Sequence, residues 1–283
     1  MPETNEVLLQ YTKELDSNSP GKKGSYVQAN GLSIYYEEYG SGAPLVLIHG
    51  GCLNLNSWSE SIPTFAPHFR ALAFDSRGHG RTKDPIGTMS YRLLAEDTAG
   101  FISALGLERP LVCGYSDGGQ IALEMGMNYP GLAKAYVVGG ATYHWSAECY
   151  AFFNMFGVDG PGSLEPERAE RNLPDFVKLA RDHQDVFQGE GYWKTLVRNS
   201  SYMWLQPLNY SVEDLHKIMD PVLLVAGDRD SIFMPIEDAV HLYRSISGAE
   251  LAVAPGCDHM FPFSNMDMFT NLTMDFLLRH ARG

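Results

Sequence analysis

A serine set between glycines, directly after an apolar run, is the first sign of chemistry in this sequence. Residues 111–120 read LVCGYSDGGQ, so that a Gly-Tyr-Ser-Asp-Gly segment centred on Ser116 forms the pattern G-x-S-x-G. The flanking residues predict a strand before it and a helix after it, the setting of a nucleophile elbow. The flanking glycines permit the sharp, strained turn that exposes the hydroxyl beside a helix N-terminus. Ser116 is therefore the candidate nucleophile, and the alternative is a serine that only caps the helix.

A serine hydroxyl needs a base, and the base needs a carboxylate to orient it. Of the nine histidines, His259 is the best placed, because it follows the last apolar run, at the sheet edge where Ser116 lies. Asp228 and Asp230 both follow the preceding run, in PVLLVAGDRDSIFMP. We favour Asp230, which lies further beyond the strand end, and expect Asp228 to bond the turn backbone. Asp258 is adjacent to His259 in sequence, and such neighbours rarely orient each other's side chains.

These candidates follow short apolar runs that alternate with helix-like segments. The runs cover 44–50, 70–75, 110–115, 133–140, 221–227 and 249–256. Continuous apolar runs are typical of parallel strands covered on both faces. An Asn30-Gly31 dipeptide between two earlier runs predicts an antiparallel hairpin, and Ser90 is placed to cap a helix. The pattern predicts a doubly wound α/β sheet, whose ligands bind beyond the carboxyl ends of the strands.

One segment breaks the alternation. Residues 143–214 contain no strand-like run but three of the four tryptophans, which predicts a helical cap, or lid, inserted into the core. We therefore divide the chain into an N-terminal extension over 1–23, a core over 24–142 and 215–283, and the cap over 143–214. Most cap aromatics should pack between helices, and a minority should line a cleft between cap and sheet. The candidate substrate-binding residues are Cys52, Tyr115, His144, Trp145 and Trp204.

Composition narrows the class of protein. The hydrophobic fraction of 45% and the charged fraction of 19% are those of a soluble globular protein. A formal net charge of −13 argues against nucleic acid or an anionic membrane as a partner. No apolar run approaches the roughly 18 residues of a membrane span, and no secretory signal is visible. The four cysteines are widely separated, without the spacing of a metal site, and predict free thiols. We expect a cytoplasmic protein that acts on a small molecule.

Together the motifs resemble the α/β-hydrolase fold family, over nearly the whole chain after residue 24. The chain order Ser…Asp…His is that of the family. LVLIHGG resembles its strand followed by His-Gly, and FDSRGHGRT is similar to its Arg-Gly-x-Gly segment. GYSDGG, GDRD and GCDH resemble its elbow, acid loop and histidine loop. The resemblance implies an eight-stranded, mostly parallel sheet, a lid after the sixth strand and no cofactor.

Acyl transfer passes through an oxyanion that needs preorganised hydrogen-bond donors. One donor should be the backbone N–H of the residue after the nucleophile, Asp117. The resemblance implies that the second comes from Gly51, with Cys52 as the alternative. His49, in the same His-Gly segment, is expected to brace the loop.

The carboxylate of Asp117 is unusual so close to an oxyanion. Two like charges about 4 Å apart repel by roughly 4 kcal/mol at an effective dielectric near 20. Asp117 must therefore be paired or hydrogen-bonded. One hypothesis is that it binds a substrate ammonium, which the resemblance to amino-acid ester hydrolases with a Ser-Asp-Gly-Gly segment supports. We favour the other, in which it hydrogen-bonds neighbouring loop backbone and pairs with Arg77 or Arg81.

The sequence thus predicts a carboxylesterase-like serine hydrolase that forms an acyl-enzyme. The aromatic load of the cap favours an apolar or aromatic ester. A serine at the elbow argues against epoxide hydrolases and haloalkane dehalogenases, whose covalent intermediates need an aspartate there. A lactonase, a carbon–carbon bond hydrolase or a cofactor-free perhydrolase are alternatives on the same triad. From other classes, a slow-turnover ligand receptor and a hydroxynitrile-type lyase stay open.

Overall fold

The computed structural model of the protein describes residues 23–282. The predicted N-terminal extension over 1–23 lies outside the described residues except for Lys23, where the first strand begins. The described strands are β1 (Lys23–Ala29), β2 (Leu32–Tyr39), β3 (Ala43–Ile48), β4 (Phe69–Phe74), β5 (Leu111–Tyr115), β6 (Ala135–Gly139), β7 (Val222–Gly227) and β8 (Glu250–Ala254).

These strands form one eight-stranded sheet in the order β1-β2-β4-β3-β5-β6-β7-β8. β1 pairs with β2, and β2 with β4, in antiparallel register, and every other neighbouring pair is parallel. The tight turn between β1 and β2 is formed by Asn30 (φ 48°) and Gly31 (φ 72°), as the dipeptide predicted. The predicted fold class, a doubly wound and mostly parallel α/β sheet, is confirmed.

Helices cover both faces of the sheet. They are α1 (Ile62–Phe65), α2 (Tyr91–Ala104), α3 (Asp117–Asn128), α4 (Ala147–Met155), α5 (Pro166–Asn172), α6 (Pro174–Gln188), α7 (Tyr192–Trp204), α8 (Val212–Leu215), α9 (Ile236–Ser245), α10 (Phe261–Ser264) and α11 (Met266–Ala281), with a 3₁₀ helix over Leu55–Trp58. Ser90 caps α2 by accepting a hydrogen bond from the Leu93 N–H, as predicted. None of the helices in the described range is both long and apolar enough to cross a membrane.

The core consists of two apolar layers, one on each face of the sheet. Along β3, Val46 and Ile48 join one layer while Leu45 and Leu47 join the other, because successive strand side chains point to opposite faces. Helices α2, α3 and α9 contribute to the first layer, and α11 closes the second. The continuous apolar runs of the sequence reflect this burial on both sides.

Between β6 and β7 the chain leaves the sheet for residues 140–221, which we call the inserted helical segment. It contains α4 to α8. Its buried side chains, among them Phe153, Phe156 and Trp204, belong to the same apolar layer as α2 and α3. Residues of the segment line one cavity together with residues from the loops after β3, β5, β7 and β8, so the segment covers the carboxyl ends of these strands.

Candidate active site

The turn between β5 and α3 holds Ser116 in a strained conformation. Ser116 has φ 57° and ψ −123°, in the left-handed region that non-glycine residues rarely adopt. A Cβ on Gly114 would lie 2.0 Å from the Gly118 carbonyl oxygen, and one on Gly118 would lie 2.2 Å from that of Ile48. Only glycine fits at both positions. The Ser116 side chain makes no capping hydrogen bond to α3, so the alternative of a helix-capping serine is wrong.

Two loops from neighbouring strands bring an imidazole and a carboxylate to this serine. His259, after β8, places Nε2 3.0 Å from Ser116 Oγ. Its other nitrogen, Nδ1, lies 2.8 Å from Asp230 Oδ2 in the loop after β7. The structure thus aligns the three predicted residues in one hydrogen-bonded row.

The environment of Asp230 favours its ionised form. The side chain is buried, and its Oδ1 accepts hydrogen bonds from the N–H groups of Ile232 (3.1 Å) and Phe233 (3.0 Å). Burial alone would raise the pKa of Asp230, but His259 and these two N–H groups lower it below its usual range. Asp228 is exposed and accepts from the backbone N–H groups of Gly256 (2.6 Å) and Cys257 (3.2 Å), the turn-stabilising role expected of it.

This arrangement can move a proton along one line. An ionised Asp230 accepts from Nδ1–H of His259, which leaves Nε2 unprotonated and able to accept the Ser116 proton. A serine held in this way can act as a nucleophile, because a base is already in hydrogen-bond contact with it.

The predicted oxyanion donors lie on the loop after β3 and at the start of α3. The Leu53 N–H donates to the Gly50 carbonyl (3.3 Å), which closes a four-residue turn. In this turn Cys52 has φ 60° and Gly51 packs so closely on α3 that a Cβ there would lie 2.3 Å from Asp117 Oδ2. The Asp117 N–H belongs to the first turn of α3, where backbone N–H groups have no intrahelical partner. Gly51 and Asp117 both line the cavity that contains Ser116.

His49 lies behind this loop with both ring nitrogens engaged. Nδ1 is 2.8 Å from the Gly50 carbonyl oxygen, and Nε2 accepts from the Ser76 N–H (3.0 Å). Burial, followed by the proximity of His79, holds the pKa of His49 well below its usual range. A neutral His49 therefore donates through Nδ1 to the Gly50 carbonyl, a contact of the bracing kind expected from the sequence.

The carboxylate of Asp117 is hydrogen-bonded by two neutral donors. Tyr91 donates to Oδ1 (2.7 Å) and the Trp204 indole N–H donates to Oδ2 (3.0 Å). Burial raises the pKa of Asp117 above its usual value, and the two hydrogen bonds act in the opposite direction.

The expected pairing of Asp117 with Arg77 or Arg81 is wrong. Arg77 forms a two-pronged ion pair with Asp97, at 2.7 and 2.8 Å, and Arg81 lies 3.3 Å from Asp75. Both arginines follow β4, and each forms an ion pair with a buried carboxylate other than Asp117.

A cavity of about 440 Å³ opens onto Ser116 and His259. Its volume is within the range of small-molecule sites. Aromatic and aliphatic side chains form most of its wall, among them Phe152, Phe153, Phe156, Phe176, Leu179, Trp204, Ile232 and Phe233. Exposed charged residues, Asp175, Arg229 and Asp258, also border it.

Of the predicted substrate-binding residues, Trp204 lines this cavity, and the other four are not among its lining residues. Tyr115 is buried beneath the histidine loop, and its hydroxyl donates to the His259 carbonyl (3.0 Å). Cys52 is fully buried, because its left-handed backbone turns it into the apolar layer. Both residues adjoin predicted catalytic motifs in sequence, but neither is among the lining residues of the cavity.

His144 and Trp145 contact other parts of the protein. His144 pairs with Asn209 in an isolated bridge, and its Nδ1 lies 3.5 Å from Asp238. The Trp145 ring packs edge-on against Phe153, with centroids 5.6 Å apart, so that Phe153 stands between it and the cavity.

The sequence reasoning missed several wall residues. Ile232 and Phe233 follow Asp230 directly, and the Phe233 ring lies 4.6 Å from that of His259. Their position just after Asp230, in the loop that follows β7, could have indicated that they line the site. Phe176 and Leu179 lie on α6, and nothing local in the sequence distinguishes them from other apolar helix residues. Within residues 23–282, no group of three or more His, Cys, Asp or Glu side chains is arranged to hold a metal ion.

Comparison with known proteins agrees with the fold. The Alpha/beta hydrolase family matches residues 45–271, well over half of the chain. The protein therefore belongs to the alpha/beta hydrolase family.

Among curated relatives, the chain is 26% identical over 278 residues to the 2-hydroxy-6-oxo-2,4-heptadienoate hydrolase of Pseudomonas putida, covering 92% of this chain and 98% of the relative. It is 25% identical to the 2-hydroxy-6-oxo-6-phenylhexa-2,4-dienoate hydrolase of Burkholderia cepacia, with the same coverage, 92% and 98%. Among solved structures, the enol-lactonase of Burkholderia xenovorans superposes with a TM-score of 0.71 at 22% identity, covering 89% of this chain and 99% of that one.

Proposed function

We propose that this protein is a serine hydrolase that cleaves a neutral carboxylic ester through an acyl-enzyme intermediate. The observation that carries the proposal is the unbroken row Asp230–His259–Ser116, with separations of 2.8 and 3.0 Å, at one end of a largely apolar cavity. Ser116 is the nucleophile, His259 the general base and Asp230 the residue that orients it.

In the first half of the reaction, Ser116 Oγ attacks the ester carbonyl carbon and its proton passes to His259 Nε2. The carbonyl oxygen becomes an oxyanion, which the amides of Gly51 and Asp117 stabilise. The intermediate collapses when His259 returns the proton to the leaving alcohol. A water molecule then attacks the acyl-enzyme by the same route, and the acid is released.

The cavity wall supports a neutral, apolar or aromatic acyl group. The cavity lining includes the carboxyls of Asp117 and Asp230, and the basic side chain among the described lining residues, Arg229, is exposed to solvent. An anionic acyl group would lack a buried cation and would face two carboxyl groups. Aromatic rings such as Phe153 and Trp204 instead offer apolar contact area.

A carbon–carbon bond hydrolase or a lactonase is the second candidate. It is supported by the names of two relatives, both dienoate hydrolases, at 26% and 25% identity. The enol-lactonase structure shares the fold. The dienoates in those names are carboxylates, so this candidate requires the cavity to accept an anion, which its described lining disfavours.

The test is a substrate panel run on the parent protein and on Ser116→Ala. The panel contains p-nitrophenyl esters of acetate, butyrate, octanoate and phenylacetate, a neutral lactone, and a 2-hydroxy-6-oxo-dienoate. We expect the highest kcat/KM on the apolar esters and a loss of about 10⁵-fold in kcat in Ser116→Ala.

Three outcomes would contradict the proposal. Unchanged activity in Ser116→Ala would refute the nucleophile. A kcat/KM for the dienoate above that for every ester would favour carbon–carbon bond hydrolysis. Stoichiometric labelling by a fluorophosphonate without multiple turnover on any ester would favour the ligand receptor.

A further inference from the structure

A fully buried amide side chain of the inserted helical segment forms hydrogen bonds with the loop that follows β3. Gln184, on α6, has no solvent exposure. Its Nε2 donates to the carbonyl oxygens of Cys52 (3.1 Å) and Leu53 (2.7 Å), and its Oε1 accepts from the Gly80 N–H (2.8 Å). Because the two carbonyls require donors and the N–H requires an acceptor, only one orientation of the amide satisfies all three partners.

These hydrogen bonds stabilise the turn over residues 50–53, whose backbone conformation is strained. Cys52 adopts φ 60°, a conformation that costs a non-glycine residue on the order of 1–3 kcal/mol. Within the turn, one backbone hydrogen bond, from Leu53 to Gly50 at 3.3 Å, is longer than the ordinary N–H···O distance of about 2.9–3.0 Å. Such a conformation persists only where its surroundings impose it, and Gln184 supplies two of the bonds that do so.

A second contact joins the same two elements. The Asn54 side-chain amide donates to the His183 carbonyl on α6 (2.8 Å), while its oxygen accepts from the Asn56 N–H (2.9 Å) at the start of the 3₁₀ helix. Asn54 and Gln184 are both fully buried. The loop is therefore fixed to α6 at three consecutive residues, 52 to 54.

We propose that Gln184 is a positioning residue for the oxyanion donor at Gly51, an inference that rests on the proposed function. Gly51 is followed directly by Cys52 and Leu53, whose carbonyl oxygens accept hydrogen bonds from Gln184. A shift of α6 would therefore move the Gly51 N–H away from the position that the oxyanion occupies. Oxyanion stabilisation depends on donors placed before the reaction begins. The inserted helical segment thus contributes to the transition state as well as to the substrate wall.

The test compares Gln184→Met, which keeps the length and packing of the side chain but none of its hydrogen bonds, with Gln188→Ala. Gln188 lies one turn further along α6 and donates to the Thr82 carbonyl (3.3 Å), away from the Gly51 turn. We expect Gln184→Met to lower kcat on the best ester by about 100-fold, with KM changed less than about threefold. Gln188→Ala should keep kcat within about threefold of the parent value.

Two inhibitors separate positioning from a merely structural role. A trifluoromethyl ketone matched to the acyl group forms a tetrahedral adduct with Ser116, and its affinity should fall in Gln184→Met by the same factor as kcat. A ground-state competitor, the matching carboxamide, should bind equally well to both proteins. Fluorophosphonate titration gives the fraction of intact sites, so that kcat is expressed per reactive serine.

The failures are distinguishable. If the parent protein is neither labelled nor active on any ester, the proposed function fails. If the parent is active but Gln184→Met keeps its kcat per labelled site, or loses ketone and carboxamide affinity equally, the positioning role is refuted.

Discussion

Each side of Ser116 contains one buried carboxyl group, and the pKa values of the two groups are shifted in opposite directions. On the side built by the loops after β7 and β8, buried Asp230 meets an imidazole and two backbone N–H groups, and its pKa is lowered. On the side built by α2, α3 and the inserted helical segment, the Asp117 carboxyl accepts hydrogen bonds from the Tyr91 hydroxyl and the Trp204 indole N–H, and burial raises its pKa. One carboxyl is held as an anion, and the other is shifted toward its neutral form.

The histidines follow the same division. His259 contacts a carboxylate, whereas His49, His79 and His183 are buried together behind the Gly51 turn. Neither ring nitrogen of His183, nor Nε2 of His79, has a hydrogen-bond partner within the described part of the chain. Burial lowers the pKa of His79 and of His183 to about 4. We call the side with Asp230 and His259 the charged side, because a carboxylate and an imidazole are paired there. We call the side with Asp117 the neutral side, after the neutral hydrogen-bond donors that surround its carboxyl.

The largest expected effect comes from removing the charge on the first side. In Asp230→Asn the amide would favour the wrong imidazole tautomer and could not stabilise the imidazolium, so kcat should fall by about 10⁴-fold with little change in KM. Steady-state kinetics on the best ester measures it.

Asp228→Asn is the matched control, two residues earlier in the same loop. Its carboxylate is exposed and accepts hydrogen bonds from the turn backbone at Gly256 and Cys257, so we expect less than about a tenfold change in kcat. Similar losses in the two variants would show that the loop conformation matters and not the buried charge, and the comparison would fail.

This charged side could be predicted from the sequence, for a physical reason. Ser116, Asp230 and His259 each follow a strand whose apolar run is continuous, and parallel strands deliver their loops to one edge. Local patterns therefore placed all three without knowledge of tertiary packing. The same local reasoning identified the hairpin at Asn30 and the helix cap at Ser90, because each depends on residues within a few positions.

The neutral side could not be predicted in the same way. The contact between Gln184 and Cys52 joins residues 132 positions apart, and that between Trp204 and Asp117 joins residues 87 apart. Such contacts depend on how helices of the inserted segment pack on the core, which helical periodicity leaves open. For this reason Trp204 and Trp145 could not be told apart in the sequence, although only the first lines the cavity.

The second prediction concerns acid stability and the buried histidines. An unfolded imidazole binds a proton below about pH 6.5, but folded His183 does so only below about pH 4. Between these values the unfolded state holds more protons, so the free energy of unfolding falls as the pH falls. His183 accounts for a loss of about 3 kcal/mol over this window, which His183→Phe should remove.

Urea denaturation of parent and variant at several pH values between 7 and 3.5 measures this difference. Comparing the two proteins cancels the contribution of Asp75, whose folded pKa is raised by burial to about 6 and which therefore acts in the opposite direction. His216→Phe, at an exposed position, should keep the parent's pH dependence. If His183→Phe also keeps it, His183 is not held neutral and the division between the two sides does not extend to the histidines.

The smallest expected effect concerns the role of Asp117. In Asp117→Asn the amide oxygen can accept from the Trp204 N–H while the amide NH₂ donates to the Tyr91 hydroxyl, so both contacts can persist without the charge and kcat/KM should fall by no more than about tenfold. Because the carboxylate already serves two neutral donors, we expect the same factor for phenylalanine methyl ester and for methyl 3-phenylpropanoate, which differ only in the ammonium group. A loss at least tenfold greater on the phenylalanine ester would show instead that Asp117 binds a substrate ammonium. The second side of Ser116 would then also use charge, with its counter-ion supplied by the substrate.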